Sequence, residues 1–416
     1  MTYLEKAQLT IEQNPFEQGR LSSGLDYYKP TMSQVALERE PDAEVTFTLK
    51  NRGEQRLADY INLDDLRARL DEFRENGWSQ DELEYLADLR KSDGAQVFGP
   101  EFVEYLATHE LPPVSVTYDE AIDDIAVNTT GVWPMVTFWE TVVMSEINEM
   151  YFENYLLAKE INPLEVYEEG DQRLSEKIAI LQQNPNIKFA DFGTRRHFSL
   201  RWQKYVLERL IKECPENIVG TSNVALARSL DIRPIGTFAH ETLMVYAGLA
   251  DERGEDIRAS HNKFLYDWFD FYGEDLSIAL TDTFGSEFFL ADFTPEQARK
   301  WRGMRHDSGD PYKFGEDVIK FYENLDIDPT VKTIVFSDGL DIDTIVELHK
   351  HFEGRVRLLF GWGTTLTNDL GLPALNIVMK ATKVNGIETV KLSDNTGKHT
   401  GSEEQIRRYE NVFRAN

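Results

Sequence analysis

Hydrophobic and polar positions follow two different periodicities in the first third of the chain. Residues 44–50 alternate strictly, with Val45, Phe47 and Leu49 on one side, and this period of two predicts a strand. From residue 63 to residue 109 the apolar positions recur every three or four residues, which predicts helices. Alternation returns at residues 114–118 and 122–128 and predicts two further antiparallel strands. We therefore expect a mixed α+β N-terminal domain over residues 1–135.

The middle of the chain has another rhythm. Long amphipathic helices are predicted at residues 136–158 and 172–183, and after them short apolar runs alternate with helical stretches. Successive strand–helix units imply a parallel sheet with right-handed crossovers, and a closed or nearly closed barrel is the natural solution for seven strands. The predicted fold class is α/β, with an irregular seven-stranded α/β barrel over residues 136–374. The seven predicted strands are residues 187–192, 218–222, 234–237, 277–283, 301–305, 333–337 and 356–360.

The C-terminal segment departs from this strand–helix rhythm. Residues 375–383 and 387–391 have the pattern of two paired strands on either side of Asn385-Gly386, a dipeptide typical of tight hairpin turns. A hairpin does not continue a parallel barrel. We therefore predict that residues 375–416 pack back onto the N-terminal domain.

Charge and composition narrow the function. The 416 residues carry a formal net charge of −29, which argues against a nucleic-acid or anionic-membrane surface. The most apolar window, residues 132–144, is too short to span a bilayer. Cys214 is the single cysteine and no apolar segment follows Met1, so we expect a cytoplasmic protein without disulfides. Any anionic ligand must then be held by local arginines, backbone N–H groups and a metal ion.

A histidine lies at one of the predicted strand ends. His240 follows Pro234-Ile235-Gly236-Thr237 and precedes the apolar helical run of residues 243–249. The carboxyl ends of parallel strands carry the chemistry in barrels and open α/β sheets. Taken alone, His240 is most simply a histidine that caps a helix. The other strand ends change that interpretation.

Those strand ends supply groups that bind anions. Arg195 and Arg196 follow the first strand, and arginine pairs bind carboxylates or phosphates bidentately. The fifth strand leads into residues 305–311, where an arginine can hold an anion and two aspartates can bind ribose hydroxyls or Mg²⁺ that carries phosphates. Residues 337–341 and 361–364 are turns with glycines and hydroxyl groups, which can direct backbone N–H groups at a phosphate. Residues 220–223 are a run of small hydroxyl and amide donors, which taken alone most simply cap a helix. Together they describe a site for a multiply phosphorylated sugar.

These motifs, in this order, resemble the bacterial type of the nicotinate phosphoribosyltransferase family. The resemblance adds Asp26-Tyr27-Tyr28-Lys29 near the start and covers nearly the whole chain. It implies formation of nicotinate mononucleotide and pyrophosphate from nicotinate and 5-phosphoribosyl 1-pyrophosphate, a step of NAD biosynthesis. It also implies ATP hydrolysis through a phosphohistidine and a requirement for Mg²⁺, held through substrate phosphates and not by direct protein ligands. The family further implies a homodimer with shared active sites.

The resemblance also implies roles for individual residues. His240 would be the phosphorylated residue, and Asp307 would lie near the ribose. The nicotinate ring would contact Tyr28, supplied across a dimer interface, together with Phe192, Arg195, Thr237 and Arg305. The phosphates of phosphoribosyl pyrophosphate would contact Arg196, Ser222, Gly309, Asp338, Gly339, Gly361, Gly363 and Thr364.

Elementary chemistry agrees with this assignment but leaves alternatives open. The ring nitrogen of nicotinate carries a lone pair at neutral pH, so no general base is needed. An arginine opposite its carboxylate disfavours nicotinamide, because a buried guanidinium would lose its charged partner. The alternatives are a related transferase for nicotinamide or quinolinate, a silent phosphosugar-binding regulator, and a metal-dependent aldolase or hydrolase. The last is disfavoured because no histidine–carboxylate cluster has ligand spacing in the sequence.

Overall fold

A computed structural model of the chain describes residues 19–414, and within them the strands form two sheets. The predicted absence of a secretory segment after Met1 concerns residues outside this range. Residues 1–18 of the predicted N-terminal domain and residues 415–416 of the predicted C-terminal segment also lie outside it. None of the helices in the described range is long and apolar enough to cross a membrane. The strands are β1 (Glu44–Asn51), β2 (Val114–Asp119), β3 (Asp124–Val132), β4 (Phe189–Asp191), β5 (Ile218–Thr221), β6 (Ile278–Leu280), β7 (Gly303–His306), β8 (Thr333–Phe336), β9 (Arg357–Trp362), β10 (Ile377–Val384) and β11 (Ile387–Glu388).

The helices surround and connect the two sheets. They are α1 (Tyr28–Arg39), α2 (Leu63–Asn76), α3 (Gln80–Asp88), α4 (Pro100–Thr108), α5 (Trp133–Val136), α6 (Trp139–Ala158), α7 (Pro163–Gln183), α8 (Leu200–Glu213), α9 (Val224–Ser229), α10 (His240–Glu252), α11 (Ala259–Tyr272), α12 (Ser286–Asp292), α13 (Pro295–Lys300), α14 (Pro311–Asn324), α15 (Ile342–Phe352), α16 (Thr364–Thr367) and α17 (Glu403–Phe413).

The first sheet is antiparallel and has the order β11-β10-β1-β3-β2. The apolar side chains of β1 are buried and the alternate ones are more exposed, as the period of two predicts. β10 lies beside β1, with Leu49 opposite Met379, so the C-terminal segment belongs to this sheet. The predicted hairpin is confirmed by the pairing of β10 with β11. Asn385 and Gly386 both have positive φ, as tight hairpin turns require.

The second sheet is parallel and has six strands in the order β5-β4-β9-β8-β7-β6. The third predicted strand, residues 234–237, is missing from this sheet and makes only an isolated bridge from Pro234 to Thr221. Proline lacks a backbone N–H, and the backbone of Tyr28 lies against Gly236, so a ladder cannot extend there. The segment still contacts both outer strands. Ile235 N–H donates to the Thr221 carbonyl at 2.8 Å, and the Thr237 hydroxyl donates to the Ile278 carbonyl at 3.2 Å.

Helix α10 connects the two sheets and carries His240 as its first residue. Phe238, just before it, is fully buried, with ring centroids 4.9 Å from both Phe264 and Trp268. Further along, a Cβ on Gly248 would meet Val384 of β10 at 2.5 Å, so the helix packs directly on the first sheet. His240 is therefore held at the edge of the parallel sheet and close to the C-terminal segment.

Candidate active site

Three ionisable side chains meet where β6 and β7 end. His240 Nε2 lies 2.8 Å from Asp307 Oδ2 and 3.7 Å from Asp282 Oδ1, while His240 Nδ1 lies 3.0 Å from Thr283 Oγ1. Within residues 19–414 the imidazole and the two carboxylates are the histidine–carboxylate group whose ligand atoms all lie within 4.8 Å of one another. Sequence spacing did not reveal this group, because its members come from three separate elements.

Lys391 supplies the positive charge of this group. Its Nζ lies 2.9 Å from His240 Nε2 and 3.2 Å from Asp282 Oδ2. Burial, reinforced by Lys391, lowers the pKa of His240 to about 4, so the imidazole is neutral at neutral pH. Burial alone would raise the pKa of Asp282, but the charge of the Lys391 ammonium lowers it to about 2. The result is a neutral imidazole beside a buried ion pair.

Asp307 is the most open member of the group. Its side chain is 33% exposed, and its Oδ1 accepts a hydrogen bond from Ser337 at 3.1 Å. Burial opposes its ionisation, but the hydrogen bond with His240 and the charges of Lys391 and Arg305 hold its pKa well below the usual range. A negative charge therefore faces the pocket at this strand end.

An aromatic ring and a guanidinium form a second part of the pocket. The guanidinium of Arg195 lies over the Tyr28 ring, 5.4 Å from its centroid, and its Nε is 2.8 Å from Asp26 Oδ2. These residues belong to one chain, so Tyr28 and Arg195 meet within that chain. Ser222 is only 2% exposed and donates to Asp26 Oδ1 at 2.6 Å. Its hydroxyl is thus committed to holding Asp26, and the structure does not present it to a phosphate.

Arg305 lies at the same edge of the sheet. Its Nη2 donates to the Phe238 carbonyl at 2.7 Å, while its Nε is buried without a hydrogen-bond partner. Burial lowers the pKa of Arg305, and the charge of Arg195 lowers it as well, whereas Asp307 and Asp282 raise it. Thr237 lies beside it, with its hydroxyl donated to β6. A buried guanidinium with an unused donor is a natural partner for a ligand anion.

The glycines that the sequence assigned to phosphate binding have different surroundings. Gly339 is exposed, with φ +63° and nothing within 4 Å of the position that a Cβ would occupy, so its backbone is open to a ligand. Gly363 and Thr364 are partly exposed at the start of α16. Gly361 is buried under the Phe192 ring, and Gly309 lies against Asp394. The last two are therefore packing positions.

Further cations surround the pocket, and the sequence reasoning missed most of them. Arg196, which it did single out, is partly exposed, and burial lowers its pKa with help from Arg195 and Arg52. Lys398 Nζ lies 2.6 Å from Asp338 Oδ1 and 3.2 Å from the Asp307 carbonyl. Lys380, Lys391 and Lys398 come from the C-terminal segment, and Arg52 directly follows β1. Strand periodicity predicted those segments only as sheet and gave no sign that their cations reach the other sheet.

The geometry is that of a site for an anionic small molecule. Cations from both sheets converge on a carboxylate and a neutral imidazole at the carboxyl ends of parallel strands, beside an aromatic ring.

Comparisons with known proteins identify the family. Residues 187–416 match the profile of the nicotinate phosphoribosyltransferase (NAPRTase) family, and residues 25–148 match that of its N-terminal domain. The chain belongs to the nicotinate phosphoribosyltransferase family and is a phosphoribosyltransferase.

Two solved structures are similar over almost the whole chain. A nicotinate phosphoribosyltransferase from Porphyromonas gingivalis is 30% identical, with a TM-score of 0.84 over 94% of this chain and 98% of that one. Another from Vibrio cholerae is 31% identical, with a TM-score of 0.86 over 97% of this chain and 95% of that one. The two-sheet architecture is therefore that of the family.

Proposed function

We propose that the chain transfers the phosphoribosyl group of 5-phosphoribosyl 1-pyrophosphate to nicotinate, giving nicotinate mononucleotide and pyrophosphate for NAD biosynthesis. ATP hydrolysis through a phosphohistidine at His240 drives the reaction. The observation that carries the proposal is the buried imidazole of His240, which lies 2.8 Å from Asp307 and 2.9 Å from Lys391. Family membership supports the transfer reaction, and this geometry supports the coupling to ATP.

The pyridine ring would bind between Phe192 and Tyr28. Flat aromatic faces hold a flat ring at a small entropic cost. Arg305 would pair with the carboxylate of nicotinate through the Nε that has no protein partner, with Thr237 and Arg195 nearby. All five residues belong to one chain in this arrangement. A homodimer, which the resemblance implies, would then carry two independent sites and not shared ones.

The phosphoribosyl group would bind beside Asp307. When pyrophosphate leaves C1, the ribose acquires oxocarbenium character, and the carboxylate of Asp307 would stabilise that charge while the ring nitrogen forms the new C–N bond. The departing pyrophosphate carries the electron pair of the broken C–O bond towards the lysines of the C-terminal segment. The 5′-phosphate would contact Arg196 and the open turns, with Asp338, Gly339, Gly363 and Thr364 as its partners.

Mg²⁺ fits this pocket best as an ion that arrives with phosphates. His240, Asp282 and Asp307 have ligand atoms at suitable separations, but the Lys391 ammonium already lies between His240 and Asp282. A divalent ion held by these three side chains alone would be repelled by that ammonium. When bound through substrate phosphates, Mg²⁺ would neutralise the leaving group.

His240 has the protonation state that phosphoryl transfer requires. A proton on Nδ1, directed towards the Thr283 hydroxyl, would place the lone pair on Nε2, and the Nε2 contacts with Asp307 and Lys391 would both be given up when ATP binds there. Nε2 would attack the γ-phosphorus of ATP and release ADP, and later hydrolysis of the N–P bond would release phosphate. Coupling between such sites is typically worth about 1–3 kcal/mol, enough for the phosphorylated state to bind phosphoribosyl pyrophosphate more tightly.

Replacement of His240 by Asn tests the coupling. The variant should lose ATP hydrolysis and phosphoenzyme formation but keep a slow, ATP-independent synthesis of nicotinate mononucleotide. His351→Asn, at an exposed histidine of α15, is the matched control and should behave as wild type. Full ATP stimulation in His240→Asn would refute the assignment.

Parallel assays with nicotinate, nicotinamide and quinolinate would separate the related transferases, and preference for nicotinamide would overturn the role of Arg305.

A further inference from the structure

Four charged side chains form a buried network behind the pocket. Lys29 of α1 is fully buried, and its Nζ lies 2.6 Å from Glu140 Oε2 and 2.5 Å from Glu241 Oε2. Glu140 of α6 also faces Lys380 of β10, at 3.5 Å from its other oxygen. Glu241 directly follows His240 and accepts hydrogen bonds from Trp133 and Thr137 through Oε1.

Glu140 is the member that connects this network to the pocket. One of its carboxylate oxygens is held by a lysine that has no access to solvent, so the side chain cannot swing away without leaving that lysine with a single carboxylate partner. Its other oxygen faces Lys380, whose side chain is 21% exposed. The charges of Lys391, Arg195 and Asp307 act on the Lys380 ammonium, so it lies near these three groups of the site.

We propose that Glu140 is a positioning residue, which directs the Lys380 ammonium towards the phosphates of phosphoribosyl pyrophosphate. The inference rests on the proposed function, because it gives Lys380 a substrate to recognise. Glu140 itself does not touch the substrate. It acts through its contact with Lys380.

The same contact sets the charge of Lys380. Burial lowers the pKa of Lys380 to about 8, and Lys391 and Arg195 lower it as well, whereas Glu140 and Asp307 raise it. Removal of the Glu140 charge therefore lowers this pKa further. Since the ammonium form is the one that binds phosphate, kcat/KM for phosphoribosyl pyrophosphate should begin to fall at lower pH in Glu140→Gln. A neighbouring charge typically shifts a pKa by about one unit or more.

The test compares pH profiles of matched variants between pH 6.5 and 9.5. In Glu140→Gln, the alkaline limb of kcat/KM for phosphoribosyl pyrophosphate should move down by about one pH unit. Glu140→Gln/Lys380→Arg should restore the plateau, because a guanidinium stays charged over this range. Lys383→Arg, at an exposed lysine of the same strand, is the control and should leave the profile unchanged. If Glu140 had only a structural role, Glu140→Gln would lower the free energy of unfolding and leave the alkaline limb of kcat/KM in place.

Calorimetric titration with pyrophosphate over the same pH range tests the inference about Glu140 separately from the proposed function. If the wild type binds pyrophosphate but forms no nicotinate mononucleotide, the proposed function fails while the effect of Glu140 on phosphate binding is still measured. An alkaline limb that stays in place in folded Glu140→Gln would overturn the inference. Where Glu140→Gln does not fold, Lys380→Arg alone decides. It should extend the wild-type plateau to higher pH, and an unchanged limb would again overturn the inference.

Discussion

Substitution of Gly361 distinguishes two roles for this residue. From the sequence, Gly361 belongs to a turn that binds the 5′-phosphate, so a side chain there should weaken binding of phosphoribosyl pyrophosphate. In the structure, Gly361 is buried beneath the Phe192 ring, and an added Cβ would lie closer than 3.0 Å to two ring carbons. Gly361→Ala should therefore displace the ring and weaken binding of nicotinate.

The expected magnitude follows from the overlap. Ordinary carbon–carbon contacts lie at about 3.5–4.0 Å, so the ring must move by more than about 0.5 Å. The Phe192 side chain is only half-buried, so it has room to move, and a displaced ring would leave the position from which it should contact the pyridine ring. Overpacking of this kind costs about 1–3 kcal/mol, which corresponds to a KM for nicotinate raised about 5- to 150-fold.

Steady-state kinetics with each substrate varied in turn would measure the effect. KM for nicotinate should rise, and KM for phosphoribosyl pyrophosphate should change little. Gly99→Ala is the matched control, because a Cβ there meets nothing nearer than Gln34 Oε1 at 3.7 Å and the position lies in the N-terminal part of the chain. If Gly361→Ala raised KM for phosphoribosyl pyrophosphate and left that for nicotinate unchanged, the packing argument would be refuted.

Two further predictions concern buried charge. Lys29→Met leaves Glu140 and Glu241 without their shared cation, so the free energy of unfolding in urea should fall by about 3–5 kcal/mol. The control Lys50→Met, at an exposed lysine of β1, should have little effect. Equal stability in the two variants would show that the network is not strongly coupled. The pKa of His240 is lowered to about 4, so the rate of phosphoenzyme formation should be constant from pH 8 down to about 5 and fall only as the imidazole becomes protonated near pH 4. Rapid-quench assays with labelled ATP would measure that rate, and an acid limb centred near the ordinary histidine pKa of about 6.5 would contradict the environment described for His240.

Local periodicity predicted the regular parts of the fold. β1 and the hairpin at Asn385-Gly386 are confirmed, because strands with one buried face and a turn with positive φ leave a direct mark on the sequence. The predicted strand at residues 234–237 was wrong. Its apolar residues resemble a buried strand, but Pro234 cannot continue a ladder and Phe238 is buried among the aromatic rings of α11.

The site was less predictable than the fold. Motifs at strand ends located His240, Asp307, Arg195 and Arg305, because parallel strands bring their carboxyl ends to one edge. The lysines of the C-terminal segment were missed, since contact between Lys391 and His240 depends on how the two sheets pack and not on any local pattern. Ser222 was assigned to phosphate, but hydroxyls that bind ligands and hydroxyls that hold a neighbour look alike in a sequence.

A crystal structure of the chain with nicotinate mononucleotide and pyrophosphate tests the central claim most directly, namely that one chain assembles the whole site. We predict that the pyridine ring lies between Phe192 and Tyr28 of the same chain. Its carboxylate should pair with Arg305, and the pyrophosphate should contact Lys380 and Lys391. A ring bound away from Phe192, or covered by the Tyr28 of a neighbouring chain, would contradict the account.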